Sequence, residues 1–377
     1  MQADQVARGA RGVVVAHVPH PQDHASEHER SSLLGFASRI AALLGYEEGG
    51  LYDPARRYPG HVYFVPSCTL TQAQAAALGI TGPGDLLGGV GPHEFVGTKA
   101  ITHPLAHPDA RGVEGWSESF GRQVRDVVLA GYTAFDPADA LTAATRLLAR
   151  GAVRLKAVRA SGGHGQSVVR DARAMQQVLA AMDPQELAMH GLVLEEDLRE
   201  RKTFSIGQVQ VGALTASYFG VQRRTVNNRG AQVFGGSDLT VARGGFEALL
   251  ALRPSPQVRL AIEQAGRYHA AVQACFPGFF ASRSNYDVLL GHRAAARLGS
   301  GVLVESWRVG GATGPEIAAL EAFHADPQRR WVRASCMEVF GDSPEPPAHA
   351  TVYFRQTDPT SGPLTKYTVL HADDDPR

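Results

Sequence analysis

Hydrophobic positions follow two different periods along this chain, and the change comes at Val153. Before it, short apolar runs alternate with stretches of helical spacing. Residues 13–18 form one such run and predict a buried strand. Ser26 and Glu29 make a capping box, in which each side chain satisfies a backbone donor that a helix start leaves open. The helix predicted from there through Leu44 carries Leu33, Leu34, Ala37, Ile40, Ala41 and Leu44 at helical spacing. HVYFV at 61–65 predicts a second strand and residues 71–78 a further helix. The N-terminal part therefore reads as a βαβ-type unit, closed by a Gly-rich break at 79–91. Two more helices are predicted, one within 117–130 and one over 136–150. The second has Asp136 as cap and Pro137 in its first turn.

After Val153 the pattern is that of strands. VRLKAV, QSVV, LVLEE, FSIGQVQVG and LTASYFGV alternate or are β-rich and are mostly joined by short turns, which predicts a largely antiparallel sheet. A helix over 257–274 interrupts it, and two strands surround Asp287 and Glu305. A last helix around 315–323 precedes strands near 331–340. SPEPPAHA is a Pro-rich linker, and TVYF with YTVL predicts a terminal hairpin ahead of an acidic tail. No internal repeat is evident.

Composition narrows the class. The chain has 377 residues, enough for two or three subdomains with sizeable cores, and is 44% hydrophobic and 20% charged, as soluble globular proteins are. Lys plus Arg and Asp plus Glu are both 37, so no net charge draws it to nucleic acid or to an anionic membrane. The run at 13–18 is too short for a signal core or a membrane span. Cys68, Cys275 and Cys336 are isolated, without CxxC spacing, which speaks against a disulfide framework or a zinc ribbon and fits thiols in a reducing, cytoplasmic setting. His20, His24 and His28 are spaced by four, but Pro19, Pro21 and the cap at Ser26 break any helix that would align them, so a loop position is expected.

The most informative segment is VRLKAVRASGGHGQSVV, 153–169. Two short strands flank a loop with Gly162, Gly163 and Gly165, whose backbone N–H groups can turn toward one anion. Lys156 on the first strand adds a point charge. This is neither a Walker A loop nor a GxGxxG turn, because a strand follows where those motifs need a helix. Taken alone, the same residues also make a flexible hairpin with an exposed lysine. Further along, RSNYDVLLG and GVLVESWR read as paired strands. If Gly291 opposes Gly301, antiparallel register sets Asp287 opposite Glu305 and Asn285 opposite Trp307. Directly opposed carboxylates about 5 Å apart repel, and a magnesium ion between them reverses the sign. The alternative is two acids facing solvent.

The order of these features resembles the ATP-grasp superfamily over roughly residues 10–340. The phrases GYTAF, VRLKAVRASGGHGQ, RSNYD and ESWRVGGATGPEIAAL resemble a bacterial family of uncharacterised ATP-grasp-like proteins. The resemblance implies an α/β ATP-grasp fold with the nucleotide between two lobes. Its parts are a Rossmann-like N-terminal unit (1–95), a small lobe (96–198), a large lobe (199–340), and a linker, terminal hairpin and tail (341–377). It implies that Lys99 and Lys156 touch the ATP phosphates, with Gly162, Gly163, His164 and Gly165 over them. Backbone groups of Glu195 and Leu198 would read adenine, with Asp197 or a carboxylate near it, such as Glu196, reaching the ribose. Asp287, Glu305 and Asn285 would hold magnesium. One departure stands out: the superfamily's Glu-x-Asn is Glu305–Ser306–Trp307 here.

Arginines suit carboxylate or phosphate recognition. Among Arg223, Arg224, Arg229, Arg243 and Arg308, the pair Arg243 and Arg308 is singled out as catalytic, since each sits beside a flexible or strand-end glycine. Residues 310–314 with Glu316 read either as an anion-binding helix start or as an ordinary capped helix. The expected reaction is ATP-dependent ligation of a small-molecule carboxylate to a nucleophile co-substrate through an acyl phosphate, with a homodimer left open. The alternative is a nucleotide-binding regulatory module that has lost turnover through the missing Asn.

Overall fold

The computed structural model describes residues 12–19, 26–159, 165–293, 297–342 and 345–371. At the N-terminus, Gly12–His17 lies between Glu47–Leu51 and His61–Pro66 in a three-stranded parallel sheet. The helix Glu27–Leu44 starts at the capping box, where the Ser26 backbone N–H and hydroxyl both donate to Glu29 at 3.0 Å. It stops at Gly45, whose φ of 65° lies in the left-handed region that glycine enters at no steric cost. Its buried face, Leu33, Phe36, Ala37, Ile40 and Ala41, does more than cover its own sheet. It also packs on the C-terminal part of the chain, with Phe36 edge-on to Tyr353 at 4.9 Å.

The small lobe is a four-stranded antiparallel sheet in the order Gly131–Ala134, Leu192–Glu196, Val153–Ala157, Gln166–Val169. The helix Pro137–Leu148 covers it, capped by Asp136 as its sequence predicts. Two helices that the apolar pattern did not announce, Ala172–Ala181 and Pro184–His190, complete the layer. The helix expected within 117–130 is only Glu118–Val124. It ends early because the chain beyond it pairs with an edge strand, the Val302 N–H donating to the Val127 carbonyl at 2.8 Å.

The large lobe is an eight-stranded antiparallel sheet. Its order is Leu298–Ser306, Arg283–His292, Arg199–Val211, Leu214–Val226, Gln232–Arg243, Trp331–Phe340, Gly362–Leu370, Thr351–Asp358. The terminal hairpin thus extends the sheet. Residues on each strand alternate between two cores. Phe204, Ile206, Tyr286 and Val288 face the helix Pro256–Cys275. Val209, Val211, Tyr218, Leu239 and Val241 face the helices Thr313–Ala325 and Glu27–Leu44. Gln232–Arg243 is a strand despite its glycines. At Gly236, with φ 140°, a Cβ would stand 2.1 Å from the Cys336 carbonyl, so the residue there must lack one.

A fully buried ion pair ties the sheet to its covering helix. Arg283 donates through Nε and Nη2 to Glu316 at 2.9–3.2 Å, and through Nη1 to the carbonyls of Ser306 and Arg308. The exposure of the two side chains is 1% and 0%. Residues 310–316 therefore form a helix start that has no side-chain cap and whose acid is already neutralised. Arg283→Met, which strands the Glu316 charge, is expected to cost about 3–5 kcal/mol. Adding Glu316→Leu should recover much of that in urea denaturation. A double variant no more stable than the single one would show that the pair is not what holds this junction.

Candidate active site

A cleft of about 1840 Å³ runs between the small lobe, the large lobe and the N-terminal unit. Lys99, Lys156, Glu195, Glu196, Leu198, Asn285, Asp287, Glu305 and Arg308 all line it. Gly162, Gly163 and His164 lie outside the described residues, and Gly165, with φ 62°, turns the chain into the strand Gln166–Val169.

Lys156 does not point into open water. It is 4% exposed, and its Nζ lies 2.5 Å from Glu195 Oε1 on the adjacent strand. Burial pushes the Glu195 carboxyl up, but Lys156 and a hydrogen bond with His103 outweigh it and hold the group below its ordinary value. Lys99 Nζ donates to the Ala157 carbonyl at 3.2 Å, one residue from Lys156. Burial and the Lys156 charge push the Lys99 ammonium down to about 8, while Glu305 and Glu195 pull the other way. Two cations thus share one partly dehydrated wall, an arrangement that a polyphosphate would relieve.

The segment Glu196–Leu198 is fastened by its side chains. Glu196 accepts from Arg293 at 2.6 and 2.8 Å. Asp197 accepts from Arg154 at 2.7 and 3.0 Å and does not line the cleft, so a ribose contact through Asp197 would compete with that pair. Leu198 sits with Leu129, Leu289 and Leu303 in a small apolar cluster.

The two metal-candidate acids are not opposed as their sequence spacing suggested. Gly291 faces Gly299, so the turn is tighter than assumed, and a bulge then leaves Leu303 without a partner. Asp287 faces Val304, Glu305 faces Tyr286, and Asn285 faces Ser306. A two-residue change of register keeps side chains on their faces, whereas the single bulged residue switches them. Asp287 consequently projects on the side of Asn285, and Glu305 on the side of the helix Pro256–Cys275. Asp287 accepts from Gln222 at 3.1 Å on both oxygens. Burial pushes its carboxyl up to about 6 against the hydrogen bonds of Gln222 and Ser205 and the charges of Lys156 and Arg283. Asn285 donates its amide to Ser205 and Tyr218 at 2.6 and 3.0 Å. Glu305 accepts from Tyr268 at 3.3 Å on one oxygen, and its other oxygen is buried without a hydrogen-bond partner among the described residues. Burial pushes this carboxyl up to about 8, against the Lys99 charge and the Tyr268 hydrogen bond. Among the described residues no group of three His, Cys, Asp or Glu side chains is placed to hold a metal ion. Trp307, at the Asn position of Glu-x-Asn, is fully buried, packs on Phe279 at 4.5 Å and donates to the Tyr286 hydroxyl.

The arginines separate. Arg243 is not in the cleft: its guanidinium donates to the Phe323 carbonyl near the end of Thr313–Ala325, where helix carbonyls lack partners, and lies 5.5 Å from the Phe323 ring. That is a structural role, and the catalytic expectation for it is withdrawn. Arg308 does line the cleft, with Nη1 donating to the Val309 carbonyl at 3.0 Å and no carboxylate paired to it among the described residues. Burial, then the Arg283 cation, push its pKa down. Sequence reasoning missed His103, Gln222 and Ser205, which touch the site only through long-range pairing and show no periodic signal. No helix among the described residues is long and apolar enough to cross a membrane.

The buried Glu305 carboxyl sets a pH-dependent stability. Unfolded, it ionises near 4.5; folded, near 8. Its ionisation therefore erodes stability as pH rises between those values, and below them it has no effect. Glu305→Gln should match wild type in melting temperature at pH 4.5 and exceed it increasingly up to pH 8. A constant difference across that range would refute the burial of an ionisable group here.

No curated protein sequence matches the chain. Among solved structures, N5-carboxyaminoimidazole synthetase from Staphylococcus aureus complexed with ADP superposes with a TM-score of 0.53 at 14% identity, covering 97% of this chain and 94% of that one. Phosphoribosylamine–glycine ligase from Thermotoga maritima gives 0.51 at 13% identity, covering 95% and 92%. At such identities the likeness is one of fold, and the fold is that of the ATP-grasp enzymes. Over residues 14–368 the chain matches the family described as "Protein of unknown function (DUF3182)", and it belongs to that family.

Proposed function

We propose that the protein is an ATP- and magnesium-dependent ligase that activates a small-molecule carboxylate as an acyl phosphate, which a nucleophile then displaces. The observation that carries this reading is Arg308, a dehydrated guanidinium on the cleft wall with no carboxylate paired to it among the described residues. Such a cation is suited to an incoming anion. The Lys99 and Lys156 ammonium groups, on a different part of the wall, suit a polyphosphate, and the Leu198 cluster offers an apolar surface for a base. The ADP named with the S. aureus structure is in keeping with this.

Positioning and cationic stabilisation carry the reaction, since the carboxylate oxygen attacks the γ-phosphorus, ADP leaves, and the acyl carbon is next attacked with release of phosphate. On one face of the sheet Glu305 has an oxygen without a hydrogen-bond partner among the described residues, and on the other Asp287 and Asn285 supply hard oxygen donors fit for magnesium. Magnesium keeps several waters and needs only one or two carboxylates beside the phosphates. Bound there, it would offset phosphate charge. A partner molecule beyond the two substrates is not required, and a homodimer is compatible with this scheme.

The second reading, a nucleotide-binding module without turnover, draws on Trp307, whose buried indole supplies no oxygen ligand. ADP release measured across amino acids, small peptides and dicarboxylates separates the two. Lys156→Gln, which keeps a donor for Glu195, should weaken ATP binding by about tenfold or more. Arg308→Gln should leave ATP affinity within about threefold and abolish carboxylate-dependent ADP release. Carboxylate-dependent turnover retained by Arg308→Gln would sink the acceptor assignment, and ATP binding without ADP release from any carboxylate would favour the second reading.

A further inference from the structure

The GYTAF motif, residues 131–135, stays outside the cleft, yet it organises two of the cleft's lysines, Lys99 and Lys156. The segment after Lys99 runs alongside its strand. The Thr133 hydroxyl donates to the Ala100 carbonyl at 2.7 Å, and the Thr133 N–H donates to the Pro104 carbonyl at 2.9 Å. Phe135 packs with Ala100, Val158 and Val193, joining the Lys99 segment to the end of the strand that carries Lys156 and to the neighbouring strand that carries Glu195. His103 is carried into the sheet by this arrangement. It lies over Gly131, where a Cβ would be 2.7 Å from the imidazole ring, and Gly131 is the cross-strand partner of Glu195.

The result is a buried chain of three groups. His103 Nε2 lies 3.2 Å from Glu195 Oε2, and Glu195 Oε1 lies 2.5 Å from Lys156 Nζ. His103 and Glu195 are at most 1% exposed. A carboxylate accepts only, so the His103 proton facing it is on Nε2. Among the described residues His103 Nδ1 has no hydrogen-bond partner, so the ring's polar engagement there is with Glu195 alone. With Oε2 satisfied by this donor, the Glu195 carboxylate offers one oxygen to Lys156. Deprived of it, the carboxylate is free to take the ammonium with both oxygens, or a proton, and either change moves the Lys156 charge relative to the cleft.

We propose that His103 is a positioning residue that, through Glu195 and on the seat provided by Gly131, holds the Lys156 ammonium available for a polyphosphate ligand. This rests on the nucleotide reading of the cleft, and its test is separable from it. ADP and adenosine, each titrated into the full-length chain by calorimetry with magnesium present, are the probes. His103→Leu should weaken ADP binding about tenfold while leaving adenosine within about twofold. His103→Gln, whose amide reaches the Nε2 position, should restore ADP affinity to within about threefold, and His103→Asn, which falls short, should not. In the Lys156→Gln background, His103→Leu should add little, since the two changes act on one contact.

Equal loss for ADP and adenosine, additivity with Lys156→Gln, or a His103→Leu protein that binds ADP as wild type does would each overturn the proposal. If His103→Leu does not fold, the contrast between Gln and Asn decides it, and equal ADP affinity in those two overturns it. Loss of ADP binding by Lys156→Gln without any effect at His103 sinks this proposal alone. A wild-type chain that binds no ADP removes the nucleotide reading and this one together.

Discussion

An ammonium group on the central part of a small buried sheet has to be matched by a carboxylate, because an unpaired ion there would cost several kcal/mol. Lys156 and Glu195 meet that constraint across adjacent strands, and much of the small lobe is arranged around them. The strand that carries Glu195 continues into Glu196 and Asp197, whose acids are gripped by Arg293 of the large lobe and Arg154 of the small one. The strand on its other side begins with glycine and so admits the His103 ring. Nearby, the Lys99 ammonium has its proton affinity lowered first by its own burial and then by the Lys156 charge, with Glu195 pulling the other way. A cleft wall prepared for negative charge follows from one buried ion pair and its neighbours.

The large lobe handles charge differently. Its sheet has a core on each face, so every strand position must commit to one side. Arg283 is committed to the helix Thr313–Ala325 and paired with Glu316, while Arg308, costly to keep charged first because it is buried and then because the Arg283 cation is near, has no acid paired to it among the described residues. Asp287 and Glu305, one residue out of step after the bulge at Leu303, go to different faces. Each carboxyl is raised by dehydration, and neither owes its shift to the other. Repulsion between opposed acids is therefore not what strains this site; the cost of burying each one is.

Several elements were legible in the chain because their causes are local. The capping box at Ser26 and Glu29, the Asp136–Pro137 helix start, the period of Leu33 through Leu44 and the alternation after Val153 depend on neighbours within a turn or a strand. Local patterns misled where a distant partner decides. The helix after Ser117 stops where residues 127–128 pair with an edge strand. Arg243 looked like a ligand-binding side chain beside a glycine and instead serves the end of a helix eighty residues away.

By itself, the sequence determined the strand that carries Lys156, the strand pair with its acids, and the resemblance that these make with their neighbours. Tertiary structure decided which of those groups face one another. Register is set by turns and bulges, and a single unpaired residue reverses a face; the spacing of Asp287 and Glu305 carried no sign of Leu303. Partners such as His103 for Glu195 or Glu316 for Arg283 are chosen by packing between segments far apart in the chain, and neither composition nor periodicity encodes that choice where it can be read.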